Sequence, residues 1–215
     1  MGHIKCIYEG GQGEIIEKKS RFICYVKPVE NEEEATAFIN EIKKKHWDAK
    51  HNCSAFVIGD KTCLTRCSDD GEPAGTAGRP MLEVLINEEI CNVCVVVTRY
   101  FGGVLLGTGG LVRAYQAAVK EGLSASRIIT RTEGILGTVI ADYNEVGKLS
   151  FVFNQNNIRI LDTKYEACVE YTLVVEKEQW DMAVKTVTEA TFGKCVLKKD
   201  SECVFAELDG EIKVF

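Results

Sequence analysis

The chain has 215 residues, 46% of them hydrophobic and 27% charged, with a formal net charge of −6 at pH 7. That charge excludes a general nucleic-acid coat, but acidic clusters at Glu30 to Glu34 and Glu176 to Glu178 leave room for a local basic patch elsewhere. No apolar run approaches the roughly 18 residues that a membrane span needs, and the opening MGHIKCIYEGGQGE lacks the charged-then-apolar layout of a signal peptide, so a cytoplasmic protein is expected. Ten cysteines are scattered through it, several in apolar, strand-like surroundings (Cys24, Cys94, Cys168 and Cys195), which predicts reduced core thiols rather than disulfides.

In chain order, Ile4 to Tyr8 and Ser20 to Lys27 read as strands, with Gly10, Gly11 and Gly13 turning between them. Asn31 caps a helix that carries Ala35, Phe38, Ile39 and Ile42 and ends in the basic Lys43 to His46. Cys53 to Gly59 and Thr62 to Arg66 predict a hairpin around Gly59-Asp60-Lys61. A Val-rich run from Cys91 to Thr98 suits a buried strand. Helical patterns flank it, from Thr76 to about Asn87 and from Gly107 to about Ser126, the second amphipathic through Leu111, Ala114, Ala118 and Leu123. A composition shift at Arg127 to Gly134 reads as a linker between domains at 1–130 and 131–215. Beyond it, strands at Ile135 to Ala141, Ile158 to Tyr165, Ala167 to Glu176 and Gly193 to Leu208 alternate with helices at Tyr143 to Gln155 and Lys177 to Thr191. That order, βαββαβ, is the ferredoxin-like split unit.

The stretch from Cys67 to Arg113 holds the functional signal. Two glycine-rich polar segments, Ser68 to Arg79 and Arg99 to Gly110, each lead into a helix. Helix N-termini leave backbone N–H groups unpaired, and glycine lets a ligand come close to them. Brought together, the two termini would form an anion-friendly concavity carrying Arg79, Arg99 and Arg113. The candidate anion- or nucleic-acid-binding set is Gly75, Thr76, Gly78, Arg79, Arg99, Tyr100, Phe101, Gly102, Gly103, Gly107, Gly109, Gly110 and Arg113, with Tyr100 and Phe101 able to stack on a base or cap a core. The competing reading pairs the arginines with Asp69, Asp70 and Glu72 as loop-holding contacts. Gly107-Thr108-Gly109-Gly110 is neither a Walker loop nor a dinucleotide fingerprint.

The same segments resemble the YigZ/Impact family: Arg99-Tyr100-Phe101-Gly102-Gly103 followed by Gly107, Asp69-Asp70-Gly71-Glu72-Pro73 with Gly75-Thr76-Ala77-Gly78-Arg79-Pro80, and the alternating Ala49, His51, Cys53 and Ala55. The resemblance covers the chain to about Ile128, and the tail looks like the domain that follows in bacterial members. It implies a two-domain α+β protein: a first domain similar to the second domain of a small-subunit ribosomal protein and to GHMP kinases, and a ferredoxin-like tail similar to domains of elongation factor G. Eukaryotic Impact proteins restrain a translation-initiation-factor kinase by competing for its activator, using an additional N-terminal module that this sequence does not carry.

Catalytic candidates are His51, Cys53, Asp69 and Asp70. His51 and Cys53 stand two apart, so on a strand both face one way. They make either a Cys–His nucleophile pair oriented by Asp69, Asp70 or Glu72, or a half-buried histidine beside an inert thiol. The spacing of Cys91 and Cys94, and of Cys63 and Cys67, completes no tetrahedral metal set, and neither do His46, Asp48 and His51. No resident cofactor is expected. Mg²⁺ on Asp69, Asp70 and Glu72 enters only under an enzyme reading.

The leading expectation is a regulator of translation or stress that binds an anionic partner, RNA or a ribosome-associated factor, through the Arg/Gly loops. The alternative is a small phosphate-ester-processing or nucleotide-binding enzyme using the same loops, and a third reading is an adaptor that binds neither.

Overall fold

The structure is a computed structural model and describes residues 3–59 and 63–215. The chain divides into two units, residues 4–129 and residues 130–215 together with His3.

The N-terminal unit is built on a five-stranded antiparallel sheet of order β2-β3-β7-β4-β5, where β2 is Gln12–Glu17, β3 Ser20–Pro28, β4 His51–Ile58, β5 Leu64–Ser68 and β7 Val93–Tyr100. Outside this sheet, β1 (His3–Glu9) pairs in parallel with β6 (Ile90–Cys91) through Lys5↔Ile90 and Cys6↔Cys91. Helices cover both faces of the five-stranded sheet, which explains the unbroken apolar run of its central strand. On β7, Cys94 and Val96 pack with Phe38 and Ile42 of α1 (Glu32–Lys45). Val93, Val95 and Val97 point the other way, into a core with Met81 and Leu85 of α2 (Gly78–Asn87) and Leu111, Tyr115 and Ala118 of α3 (Thr108–Ser124).

The helix starts follow local chemistry. The Asn31 side chain accepts the Glu34 N–H at 2.8 Å, and the Glu34 carboxylate accepts the Glu30 N–H at 2.9 Å, a reciprocal cap. Acidic residues in the first turn of α1 and Lys43, Lys44 and Lys45 in the last suit the helix dipole. On the opposite face, α3 approaches β3 so closely that a Cβ on Gly122 would lie 2.6 Å from the Cys24 sulfur.

The tail unit orders its strands β9-β10-β8-β11-β12, with β8 Arg127–Ala141, β9 Arg159–Tyr165, β10 Val169–Glu176, β11 Lys198–Leu208 and β12 Glu211–Val214. All four neighbouring pairs are antiparallel. Helices α4 (Val146–Gln155) and α5 (Trp180–Ala190) connect β8 to β9 and β10 to β11, so the two halves interleave as the expected split βαββαβ unit. Leu149, Val152 and Phe153 of α4 and Ala183 and Val187 of α5 pack on Val139, Tyr171, Leu173 and Val175.

Several local expectations are corrected. Gly13 lies inside β2 rather than in a turn, and the chain reverses instead at Lys18 and Lys19, both left-handed (φ 45° and 66°). That is hairpin-turn geometry without the glycine or asparagine that usually announces it. Arg127 to Gly134 is no linker, because β8 runs unbroken from Arg127 to Ala141. The last strand begins at Lys198 rather than Gly193 and is followed by β12. The turn expected at Gly59-Asp60-Lys61 and the strand start at Thr62 fall on residues 60–62, outside the described residues. None of the ten cysteines is joined in a disulfide, and Cys24 and Cys94 lie on strands as expected. Cys168 and Cys195, however, lie just before β10 and β11. Among the described residues no helix is long and apolar enough to cross a membrane.

Candidate functional site

Strand register gathers the site at one end of the N-terminal sheet. Arg21 pairs with Tyr100 and His51 with Arg99, so β3, β7 and β4 all present their site residues there. Side chains alternate across the sheet. Arg99 therefore points with Val97 toward α2 and α3, while Tyr100 points with Val96 toward α1.

On the α2/α3 side Arg99 is not free for a ligand. Its Nη1 donates to Glu72 Oε1 at 2.7 Å, with side chains only 7% and 3% exposed. The Tyr115 hydroxyl donates to the same oxygen at 2.8 Å. The guanidinium lies 5.4 Å from the ring centre of Phe22 and 5.6 Å from that of Phe101, and its Nε has no hydrogen-bond acceptor. Cys53, fully buried, places its thiol 3.0 Å from the Asp69 carbonyl, which accepts, and 3.3 Å from the Tyr115 hydroxyl. Burial pushes the Cys53 thiol up to about 12, far from a thiolate at neutral pH. Burial likewise raises Tyr115 strongly, with Cys53 and Glu72 adding to it. The Cys–His nucleophile pair is thereby corrected. The His51 Nδ1 instead donates to the Asp70 carbonyl at 3.0 Å, which leaves Nε2 as the acceptor nitrogen.

The first glycine segment already contains its anion. The Asp69 carboxylate accepts the Gly75 N–H at 2.8 Å, the Ala77 N–H at 3.0 Å and the Gly78 N–H at 2.8 Å. Burial would raise the Asp69 pKa, but these three N–H groups outweigh it and hold the carboxyl below its ordinary value. Asp70 accepts from Lys43 Nζ at 2.6 Å and from the Asn52 N–H at 2.7 Å. Asp69, Asp70 and Glu72 are thus engaged by different groups and do not converge on a shared cation. Among the described residues no cluster of three His, Cys, Asp or Glu is placed to hold a metal. Thr76 donates to the Pro73 carbonyl at 2.7 Å, and Arg79, exposed in the first turn of α2, pairs along the helix with Glu83 at 3.2 Å. The two helix termini accordingly do not share one ligand-ready set of arginines.

The second glycine segment is different. Gly107, at φ 74°, precedes α3 and offers no side chain to cap it, and the first turn of α3 holds no acid. The exposed Arg113 brings Nη1 to 3.7 Å from the position a Cβ on Gly109 would take, beside the open N-terminus. A cleft of about 260 Å³ runs along this helix, lined by Ile15, Glu17, Lys18, Leu106, Gly110 and Arg113 among others. Gly102 packs against Lys19, where a Cβ would meet the backbone at 2.0 Å, so the preceding Phe101 is held at the rim, 54% exposed, with Gly103 left-handed after it. Leu105, at 83% exposed, stands at the tip of the same loop.

On the α1 side a second polar network forms. The Tyr100 hydroxyl donates to Asp48 Oδ1 at 2.9 Å. It must then accept from His46 Nδ1, also at 2.9 Å, and the Tyr25 hydroxyl donates to His46 Nε2 at 2.7 Å. Burial, joined by the neighbouring Lys45, lowers the His46 pKa below its usual value against the opposing pull of Asp48. His46 and Asp48 meet at a hydroxyl, while His51 faces a carbonyl, so the three do not form a ligand set.

The first domain matches the Impact N-terminal domain over residues 18–123, and the tail matches a domain of unknown function (DUF1949) over residues 139–194. The IMPACT family member YvyE of Bacillus subtilis is 43% identical over 193 residues, covering 90% of this chain and 89% of that protein. The chain belongs to the IMPACT family. The member YigZ of Escherichia coli is 39% identical over 71% of this chain and 76% of its own length. A crystal structure described only as that of a hypothetical protein superposes at a TM-score of 0.59 with 31% identity, covering 94% of this chain and 98% of that one. Every site residue described above, apart from Ile15 and Glu17, lies inside the span matched to the IMPACT N-terminal domain.

Proposed function

We propose that the protein is a binding module that regulates translation by docking an RNA phosphate backbone at the open N-terminus of α3. One contrast carries this reading. The α2 terminus is filled by the Asp69 carboxylate, whereas the first turn of α3 holds no acid and no capping side chain, and the cleft beside it is lined by Arg113 and Lys18 against a single acid, Glu17. Unpaired N–H groups flanked by cations suit a phosphate. The translational setting comes from the family: its eukaryotic members act on the control of initiation, and that context is extended here to this chain.

The experiment is fluorescence anisotropy with a labelled oligouridylate. Binding at low salt, lost in a Lys18→Ala/Arg113→Ala double variant that folds normally, supports the reading. Absence of binding at any salt sinks it. A ribosome-associated protein as the partner is the outcome in which the protein co-sediments with ribosomes yet ignores free RNA.

The enzyme alternative, processing of a small phosphate ester, draws on one observation: the His51 tautomer leaves Nε2 as an acceptor, suited to a general base. A panel of phosphate esters, with turnover abolished by His51→Ala, would favour it.

A further inference from the structure

Trp47 is the least expected side chain in the molecule. It is 83% exposed, although an indole ordinarily finds a core or a partner. Its neighbours in sequence are both fixed: His46 and Asp48 each bond the Tyr100 hydroxyl at 2.9 Å, and the Ala49 N–H closes the turn on the His46 carbonyl at 3.0 Å. A pinned turn therefore holds an unburied aromatic plate in solvent, with its backbone already ordered before anything binds.

The charge around it is uneven. Lys44, Lys45 and Lys50 are exposed, and the Lys45 ammonium sits 4.5 Å from the ring centre of Tyr25. Of the nearby acids, Glu14 pairs with Arg21 at 2.6 Å, Asp70 with Lys43 at 2.6 Å and Glu41 with Lys27 at 3.8 Å, while Asp48 keeps its charge and accepts from Tyr100. In a chain of net charge −6, the exposed Lys44, Lys45 and Lys50 concentrate positive charge on the two sides of Trp47 in sequence. Tyr100 joins it to the α3 loop, since Phe101, half-exposed, follows directly in the chain. Exposed aromatics interleaved with lysines fit one ligand chemistry: a strand whose bases are unpaired and whose phosphates repeat alongside them. A duplex hides its base faces, and an acidic peptide supplies the charge but nothing to stack.

We propose that the basic end of α1 is a track for single-stranded RNA, with a base stacked on Trp47 and phosphates on Lys44, Lys45 and Lys50. This rests on RNA being the partner at the α3 terminus and adds the strandedness and the stacking residue.

The test uses the whole chain. Only two tryptophans are present, so Trp180→Phe leaves Trp47 as the sole indole reporter. A single-stranded 12-mer oligouridylate quenches its emission saturably, and the quench fades as salt rises. Trp47→Ala binds that RNA about tenfold more weakly, and Trp47→Phe recovers part of the loss, because one stacked base is lost and a smaller ring replaces it. A duplex of the same length binds more weakly than the single strand. RNA binding that needs Arg113 but neither quenches Trp47 nor weakens in Trp47→Ala overturns the track while sparing the α3 reading. No RNA binding by the intact protein overturns both. Polyglutamate that displaces the RNA as well as oligouridylate does also overturns the track, since charge alone would then explain it.

Discussion

Arg99 and Glu72 form an ion pair of 2.7 Å with both side chains almost wholly withdrawn from water. Tyr115 shares the same carboxylate oxygen. Both charges in such a pair are costly to desolvate, and each is tolerated because of the other. Removing one partner leaves the second uncompensated. Glu72→Ala is therefore expected to destabilise the N-terminal unit by about 3–5 kcal/mol. Urea titration followed by circular dichroism reads this as a lowered midpoint. A loss under about 1 kcal/mol, the size seen for exposed pairs, would show that water reaches the pair.

Asp69 acts as a cap for α2 from eight residues before Ala77. Its removal as Asp69→Ala is expected to cost about 1–2 kcal/mol, the upper part of the range for caps. The pH dependence has a definite sign. A carboxyl held below its ordinary pKa stabilises the fold above its unfolded value, about 3.9, and that contribution disappears as pH falls through the native value. The stability gap between the wild type and Asp69→Asn should therefore be constant near neutrality and close on acidification below about pH 4. A gap that instead widens on acidification contradicts the three-amide geometry.

His46 works in the opposite chemical direction. Burial keeps its native pKa below the unfolded value of about 6.5. Between those two values the unfolded chain binds a proton that the native one refuses, so stability falls as pH drops below about 6.5. Lys45 and Arg21 reinforce this, and Asp48 opposes it. An NMR titration of the ring is expected to show a midpoint below about 6.5, lowered further in Asp48→Asn. A midpoint above that value would mean that the ring is an imidazolium donating to both tyrosines.

Much of the fold was legible because periodicity carries it. The Val-rich run of β7 announced a buried strand, and the Asn31 cap with the basic last turn announced α1. The reversal at Lys18–Lys19 was hidden because lysine carries no turn signal, and β2 was hidden with it. The continuous strand across Arg127 was hidden because Arg127, Thr130, Arg131, Thr132 and Glu133 crowd it with polar residues, which in composition resembles a linker. In the site, the sequence placed Arg99 and the glycine segments together but could not say which charges were already paired. Asp69 on the α2 amides and Glu72 on Arg99 are contacts between segments, and no spacing rule encodes them. Tyr115 could have been found, since a phenol on the apolar stripe of α3 with Leu111 and Ala118 needs a buried acceptor. Trp47 had a signal too, an aromatic directly after a lysine run.

The central claim is that the open terminus of α3 binds RNA phosphate, and its most direct test is the salt dependence of oligouridylate affinity. Each phosphate contact on a single strand contributes about 0.7 to the slope of log K against log salt. The account predicts a steep negative slope for the wild type, shallower by about 0.7 in Arg113→Ala and by about 1.4 when Lys18→Ala is added, two contacts at that increment. A slope unchanged by both substitutions would contradict it.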